Sequence, residues 1–280
     1  MTHSRLVAAR RLALFLFVIG SLAPPYLLTF PLGKRVRRFF ALPFYRTCLN
    51  LTGLSLHAKG IPANGTGVLF VANHASYLDV PVLAALIDGL FVAKSEVRGW
   101  PVFGFLARIA GTLFVARKAS KIPQQRLMIA ENLTEGNSIF LFPEGSSSDG
   151  STALPFRRGL LSSALVVERP VYVQPVSIVY GPALGNRPAL SQSERDRYAW
   201  YGDMELVPHL WHLFGLRRVT PVTVRFHPPQ LSSEFENPSD LASWAERAVV
   251  EGIQQDLRAT LEPGDVLEAY ADASSLYASS

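Results

Sequence analysis

The sequence predicts an α/β protein with a mostly parallel central sheet flanked by helices, behind an N-terminal hydrophobic helical membrane anchor. Three observations carry that prediction. Between residues 67 and 257, short apolar runs bounded by turn residues alternate with segments of helical periodicity. Such alternation is the pattern of a sheet built through crossover helices. Residues 11–32, "RLALFLFVIGSLAPPYLLTFPL", are apolar over about the 20 residues that a helix needs to cross a bilayer. The composition is 49% hydrophobic and 18% charged with a mean hydropathy of +0.19. That is greasier than an ordinary soluble enzyme and too interrupted for a multi-span membrane protein.

The N-terminal stretch is interrupted by Pro24 and Pro25 and carries cations on both flanks, Arg5, Arg10 and Arg11 before it and Lys34, Arg35, Arg37 and Arg38 after it. Cations on both sides give no clean orientation. Two half-helices dipping into one leaflet fit at least as well as a single span. A cleaved signal peptide would need a small-residue cleavage site where a basic patch stands instead. The expectation is a retained anchor over residues 1–57, placed at the inner membrane of the cell with the rest of the chain on the cytoplasmic side.

Within the anchor, residues 39–57 form a second apolar stretch, and the turn cluster "IPANGTG" then introduces the first strong strand, 67–72. A helix is expected at 76–87, a strand at 90–96, a buried helix over "VFGFLARIA" and a strand at 111–117. Ile122, Ile129 and Leu133 give the next helix its apolar face, and Gly136 stops it. Strands follow at 138–145, 171–180 and 219–229. The aromatic-rich insertion at 181–218, "YAWYGDMELVPHLWHLF" within it, is expected to be a lipid-facing flap. From Asp240, a helix presents Leu241, Trp244, Val249 and Ile253 on one face. The main domain is thus expected at 58–262, with a polar tail at 263–280.

Charge and cysteine content exclude several classes. The net charge is +5 and the pI near 9.5, which suits anionic lipid, nucleic acid or acidic substrates alike. No aromatic-basic nucleic-acid motif accompanies it, so no nucleic-acid partner is expected. The single cysteine, Cys48, rules out an internal disulfide and a cysteine-rich metal site. No metal site or cofactor is expected.

Chemistry concentrates in three places. In "NHASYLD" (73–79), His74 falls in a strand-to-helix turn and Asp79 one turn into the helix, so that the two side chains converge. Ser76 and Asp79 also read as a helix-start box, with Ser76 as N-cap. That structural role does not explain His74, which gains nothing from ending a buried strand. With Asp79 on one ring nitrogen, the other is left basic and aimed outward, an arrangement that deprotonates a hydroxyl. In "FLFPEGSSSDG" (140–150), Pro143 ends a strand, Gly145 permits a tight turn, and Ser146 and Ser147 offer hydroxyls to an oxygen-rich headgroup. Glu144 at the end of an apolar strand is costly without a partner. In "GTLFVARK" (111–118), Arg117 and Lys118 leave a strand end as candidate anion-binding cations.

The order N-H-x-S-x-x-D, G-x-x-F-x-x-R, F-P-E-G and then "QPVSI" resembles the glycerolipid acyltransferase family, whose best-known members are the lysophosphatidic acid acyltransferases. The resemblance covers roughly residues 55–180 and implies the glycerol-3-phosphate acyltransferase-like fold. It makes His74 the general base and Asp79 the residue that orients it, with Asn73 and Ser76 in support. It places Arg117, Glu144 and Gly145 at the acceptor, beside Lys118, Ser146 and Ser147, and Pro175 in the block linked to acyl-donor binding or to shaping the site. It further implies a lysolipid acceptor, acyl-CoA or acyl-carrier protein as donor, and membrane lipid as the setting.

The third block departs from the family pattern F-P-E-G-T-R-S: Ser147 stands where an arginine ordinarily helps to hold a phosphate. Loss of a bidentate cation weakens a phosphate site. Either Arg117, Lys118, Arg157 or Arg158 compensates, or the acceptor is not lysophosphatidic acid. "FPEGSSSDG", "LPFRRGLL" and "AWYGDM" together are more similar to the lyso-ornithine lipid acyltransferase branch, whose acceptor headgroup carries a carboxylate and amines. Two readings of other kinds compete: a non-catalytic lipid-binding membrane protein, and a hydrolase, for which no G-x-S-x-G elbow occurs near a strand end.

Overall fold

In the computed structural model, residues 3–65, 67–185 and 188–261 are described, and the polar tail expected at 263–280 lies outside them. The chain begins with helix α1 (Arg5–Leu28), reverses through a short 3₁₀ turn at Phe30–Leu32, and returns as α2 (Lys34–Thr52). The expected break at Pro24 and Pro25 does not occur. Both prolines lie within the last two turns of α1; their fixed φ is helical, and the Gly20 and Ser21 carbonyls lose their i+4 donors without ending the helix. The reversal falls instead at Gly33, whose φ of +92° favours a residue without a side chain. Helix α1 is long and apolar enough to cross a membrane, at about 36 Å for its 24 residues. Leu6, Phe17 and Leu28 stay exposed on it, while Ala8 and Phe15 are buried against Leu51 and Phe214.

Strand β1 (Leu54–Lys59) follows at once, so the boundary expected after residue 57 falls inside a strand. After it come β2 (Val68–Ala72), α3 (Asp79–Leu86), β3 (Leu90–Lys94), α4 (Phe103–Ile109), β4 (Leu113–Val115), α5 (Ile122–Thr134) and β5 (Ile139–Leu141). The second half contains α6 (Arg158–Leu161), β6 (Tyr172–Tyr180), β7 (Ala183–Leu184), α7 (Gln192–Arg195), α8 (Leu206–Gly215), β8 (Thr220–Phe226), β9 (Gln230–Leu231), α9 (Pro238–Arg258) and β10 (Thr260–Leu261). Two expectations change here. The helix over 103–109 buries only Gly104 and is otherwise half-exposed. The insertion at 181–218 is not a free flap, because Tyr198 and Phe214 are buried in the body; Val207 and Trp211 are its exposed large apolar side chains.

The main sheet runs β1-β8-β6-β2-β5-β3-β4, with β9 added to β6. Its pairs are parallel except β6 with β8 and β6 with β9. Strand β2 is buried throughout and divides its side chains by the period of two. Val68, Phe70 and Ala72 join the core beneath α3 and Leu213 of α8, whereas Leu69 and Val71 join the core beneath α5 and α9. Phe70 stacks on Phe140 and meets Phe226 edge-on. Truncating such a ring costs about 3–5 kcal/mol. Because β2, β5, β3 and β4 are parallel, their carboxyl ends share one edge of the sheet. Open α/β sheets place ligands at that edge.

Candidate active site

The residues that leave those carboxyl ends are Asn73 and His74 after β2, Phe142 to Gly145 after β5, Lys94 at the end of β3 and Arg117 beyond β4. The His74 ring donates from Nδ1 to Asp79 Oδ2 at 2.7 Å. The same oxygen accepts the amides of Ala75 at 2.9 Å and Ser76 at 3.0 Å. Helix α3 starts at Asp79, two residues later than a Ser76 cap would place it. Ser76 is buried, and its Oγ has no hydrogen-bond partner among the described residues. The capping expectation is thereby corrected: the Asp79 carboxylate reaches back to the turn, and the Ser76 hydroxyl does not cap the helix.

Asp79 is fully buried and the His74 side chain 23% exposed. The His74 ring stacks on Phe142 at 4.3 Å between centroids, leaving Nε2 as the basic nitrogen. The turn is stitched to the loop after β5 at both its peptide groups. The His74 amide donates to Glu144 Oε1 at 2.9 Å, and the Ser148 amide donates to the His74 carbonyl at 2.9 Å. Glu144 thus faces the backbone of the base and is absent from the cavity wall. Burial pushes its carboxyl up to about 8, against the amides of His74 and Leu154, and the charges of Asp79 and Glu246 push the same way. Phe142–Gly145 forms a turn closed by the Gly145 amide on the Phe142 carbonyl, with Pro143 second and Gly145 fourth.

His74 opens on a cavity of about 1030 Å³. One end is apolar and lies against α1 and α2, where Phe15, Ile19, Ala23, Phe40 and Phe44 contribute to the wall. The other end carries Lys94, Arg117, Lys118 and Arg157, with Glu96 among them. Burial, then the nearby charge of Arg117, pull the Lys94 ammonium below its usual value, as expected where cations gather. Arg117 donates to the Gly145 carbonyl at 2.9 Å. The Arg157 guanidinium lies against Gly145, 3.3 Å from where a Cβ at that position would stand.

Of the residues singled out from sequence, His74, Arg117, Lys118, Gly145, Ser146 and Ser147 line this cavity. Asn73 and Pro175 do not. Asn73 is fully buried and exchanges both its amide groups with the backbone of Ile178, at 2.8 and 2.9 Å. Pro175 sits within β6 opposite Val71. Ser147 donates its hydroxyl to the Trp200 carbonyl. Sequence reasoning missed Lys94 and Glu96, although "AKSE" at a strand end was a readable signal, and it missed Tyr77, Trp200 and Tyr180. Among the described residues, no group of three His, Cys, Asp or Glu is arranged to hold a metal ion.

A family model described as Acyltransferase matches residues 54–179. The chain is 36% identical over 250 residues to a lyso-ornithine lipid O-acyltransferase of Brucella abortus, covering 87% of this chain and 91% of that one. It is 34% identical over 215 residues to a protein of the same name from Rhodobacter capsulatus, covering 76% and 75%. The crystal structure of the 1-acyl-sn-glycerophosphate (LPA) acyltransferase from Thermotoga maritima superimposes with a TM-score of 0.61 over 90% of this chain and 93% of that one, at 22% identity. The sheet, the site at its carboxyl edge and these relatives together make this chain a member of the acyltransferase family.

Proposed function

We propose that this enzyme esterifies the free hydroxyl of a lysolipid at a membrane surface, with lyso-ornithine lipid as acceptor and acyl-CoA or acyl-carrier protein as donor. The observation that carries the reading is the 2.7 Å bond from His74 to buried Asp79 on a residue that opens into the large, mostly apolar cavity. His74 Nε2 takes the proton as the lysolipid oxygen attacks the thioester carbonyl carbon. Asp79 favours the imidazolium that forms. The tetrahedral intermediate collapses by breaking the carbon–sulfur bond, and the imidazolium returns its proton to the departing thiolate. The reaction balances without a metal, a cofactor or an acyl-enzyme. A placed base contributes roughly 10²- to 10⁴-fold, and orientation of the two substrates supplies the larger share.

The cavity suits a lipid with one chain and a charged head. An acyl chain fits the apolar end beside α1 and α2, and that helix pair fits a membrane setting because α1 is long, apolar and largely outward-facing. The inner membrane and the cytoplasmic side remain part of the proposal. Arg117, Lys94 and Arg157 suit a carboxylate, and Glu96 in the same group suits an amine. A headgroup carrying both signs satisfies this set better than a phosphate does. The relatives named for lyso-ornithine lipid support the same acceptor. The four cations alone also fit a phosphate, which keeps lysophosphatidic acid as the second reading. A non-catalytic lipid-binding role leaves the buried carboxylate behind His74 without a purpose.

The test is a competition. Purified full-length protein is offered lyso-ornithine lipid and lysophosphatidic acid together, with labelled acyl-CoA or acyl-carrier protein, and the products are identified by mass. The expected product is diacylated ornithine lipid. A dominant phosphatidic acid product would replace the first acceptor with the second.

A further inference from the structure

Asp79 receives hydrogen bonds on two sides, and they are unequal. Oδ2 accepts from His74, Ala75 and Ser76, all within the one turn. Oδ1 accepts from the hydroxyl of Tyr180 at 2.7 Å, a residue at the far end of β6. We propose that Tyr180 is a positioning residue of the His74–Asp79 pair, holding the carboxylate against rotation and drawing charge from it so as to set how strongly His74 takes a proton. The inference rests on His74 being the base.

Tyr180 is built to hold still. It lies in ladder register opposite Val222 of β8. Its ring stacks nearly parallel on that of Tyr198, 6.1 Å away and 8° apart, and the Tyr198 hydroxyl is bonded to Thr220 Oγ1 at 2.7 Å. Burial and the charge of Asp79 push the Tyr180 phenol well above its ordinary value, so it remains a donor at every working pH. Among the described residues, the titratable groups about this point are His74 and Tyr77 from the turn after β2, Glu144 from the loop after β5, Tyr198 from the segment stacked on β6, and Tyr180 itself.

Removing the hydroxyl leaves Asp79 its other three donors. The carboxylate then turns more freely, and the charge that Tyr180 withdrew returns to the oxygen facing His74. A stronger negative partner favours the imidazolium. The acid limb of the pH–rate profile must therefore move up, while orientation of the ring, and with it turnover, suffers.

The experiment uses the purified full-length enzyme and records kcat/KM against pH. For Tyr180→Phe the expected result is kcat lower by about 10-fold, of the size that one hydrogen bond to a charged group commands. KM for both substrates should stay unchanged, and the acid limb should shift upward. In an Asp79→Asn background the same change should have no further effect. Tyr198→Phe, which loses the Thr220 bond and keeps the ring, should lower stability without moving the limb. Site-specific 3-fluorotyrosine at position 180, a stronger donor of nearly the same shape, should move the limb down, and it answers the question even where Tyr180→Phe does not fold. An acid limb that ignores these changes, or an equal loss in the Asp79→Asn background, overturns the role of Tyr180. Retained turnover in His74→Ala overturns the base itself, a separate outcome.

Discussion

The Ser147 hydroxyl donates to the main-chain carbonyl of Trp200, 53 residues downstream. The Trp200 amide in turn donates to the Ala75 carbonyl at 2.8 Å, and its ring meets those of Tyr77 and Trp100 edge-on. The position that carries a cation in the phosphate-binding pattern is here committed to holding an aromatic wall over the site.

Ser147→Arg removes that tether and adds a cation beside Arg117. The ratio of kcat/KM for lysophosphatidic acid to that for lyso-ornithine lipid should rise by about 10-fold, the scale of one charge-assisted contact. An unchanged ratio would separate Ser147 from acceptor choice.

His74→Ala should lower kcat by roughly 10²- to 10⁴-fold while the protein stays folded, because the His74 backbone bonds to Glu144 and Ser148 do not involve the ring. Circular dichroism alongside turnover checks both halves.

Arg157→Ala should raise KM for the acceptor by about 10-fold and leave KM for the thioester alone, since Arg157 stands at the charged end of the cavity. Equal effects on both substrates would place the guanidinium elsewhere in the reaction.

Glu144 makes stability depend on pH. Its carboxyl is ordinarily ionised above about 4.5, but burial in the fold holds it protonated to about 8. The folded chain therefore binds a proton that the unfolded chain has released, and its contribution to stability falls as pH rises from 4.5 to 8, with a slope of up to about 1.4 kcal/mol per unit. Glu144→Gln should remove this component, so that the variant gains on the parent between pH 5 and pH 8 in denaturant melts. Parallel curves would show that Glu144 ionises normally.

Asp256 of α9 is fully buried and binds Lys59 of β1 at 2.8 Å and Arg225 of β8 at 2.6 and 2.9 Å. Asp256→Ala leaves two cations facing each other, and both are about one-quarter exposed. The loss should be about 2–3 kcal/mol, below the fully buried range because water reaches the partners. Turnover per folded molecule should not change, since the cluster lines no part of the cavity.

The amino-acid order alone determined the alternation of strands and helices, the buried run at 68–72 and the pairing of His74 with Asp79. Those features are local. Two side chains five residues apart across one turn have few ways to lie, and a period of two or 3.6 shows in any window. Even so, local rules misplaced the start of α3, since Ser76 satisfies a capping pattern as well as Asp79 does until the carboxylate is seen turned toward His74. The break at Pro24 was misjudged because a proline removes one rung of the helix ladder without fixing where the helix stops, and α1 runs on to Leu28. Tertiary structure alone decided what surrounds the pair. Asn73 meets Ile178 across 105 residues and Tyr180 meets Asp79 across 101, contacts set by which strands of the sheet become neighbours. Parallel neighbours are joined through crossovers and not through turns, so no local pattern encodes their register, and only the folded chain brings the base, its second anchor and the headgroup cations to one edge.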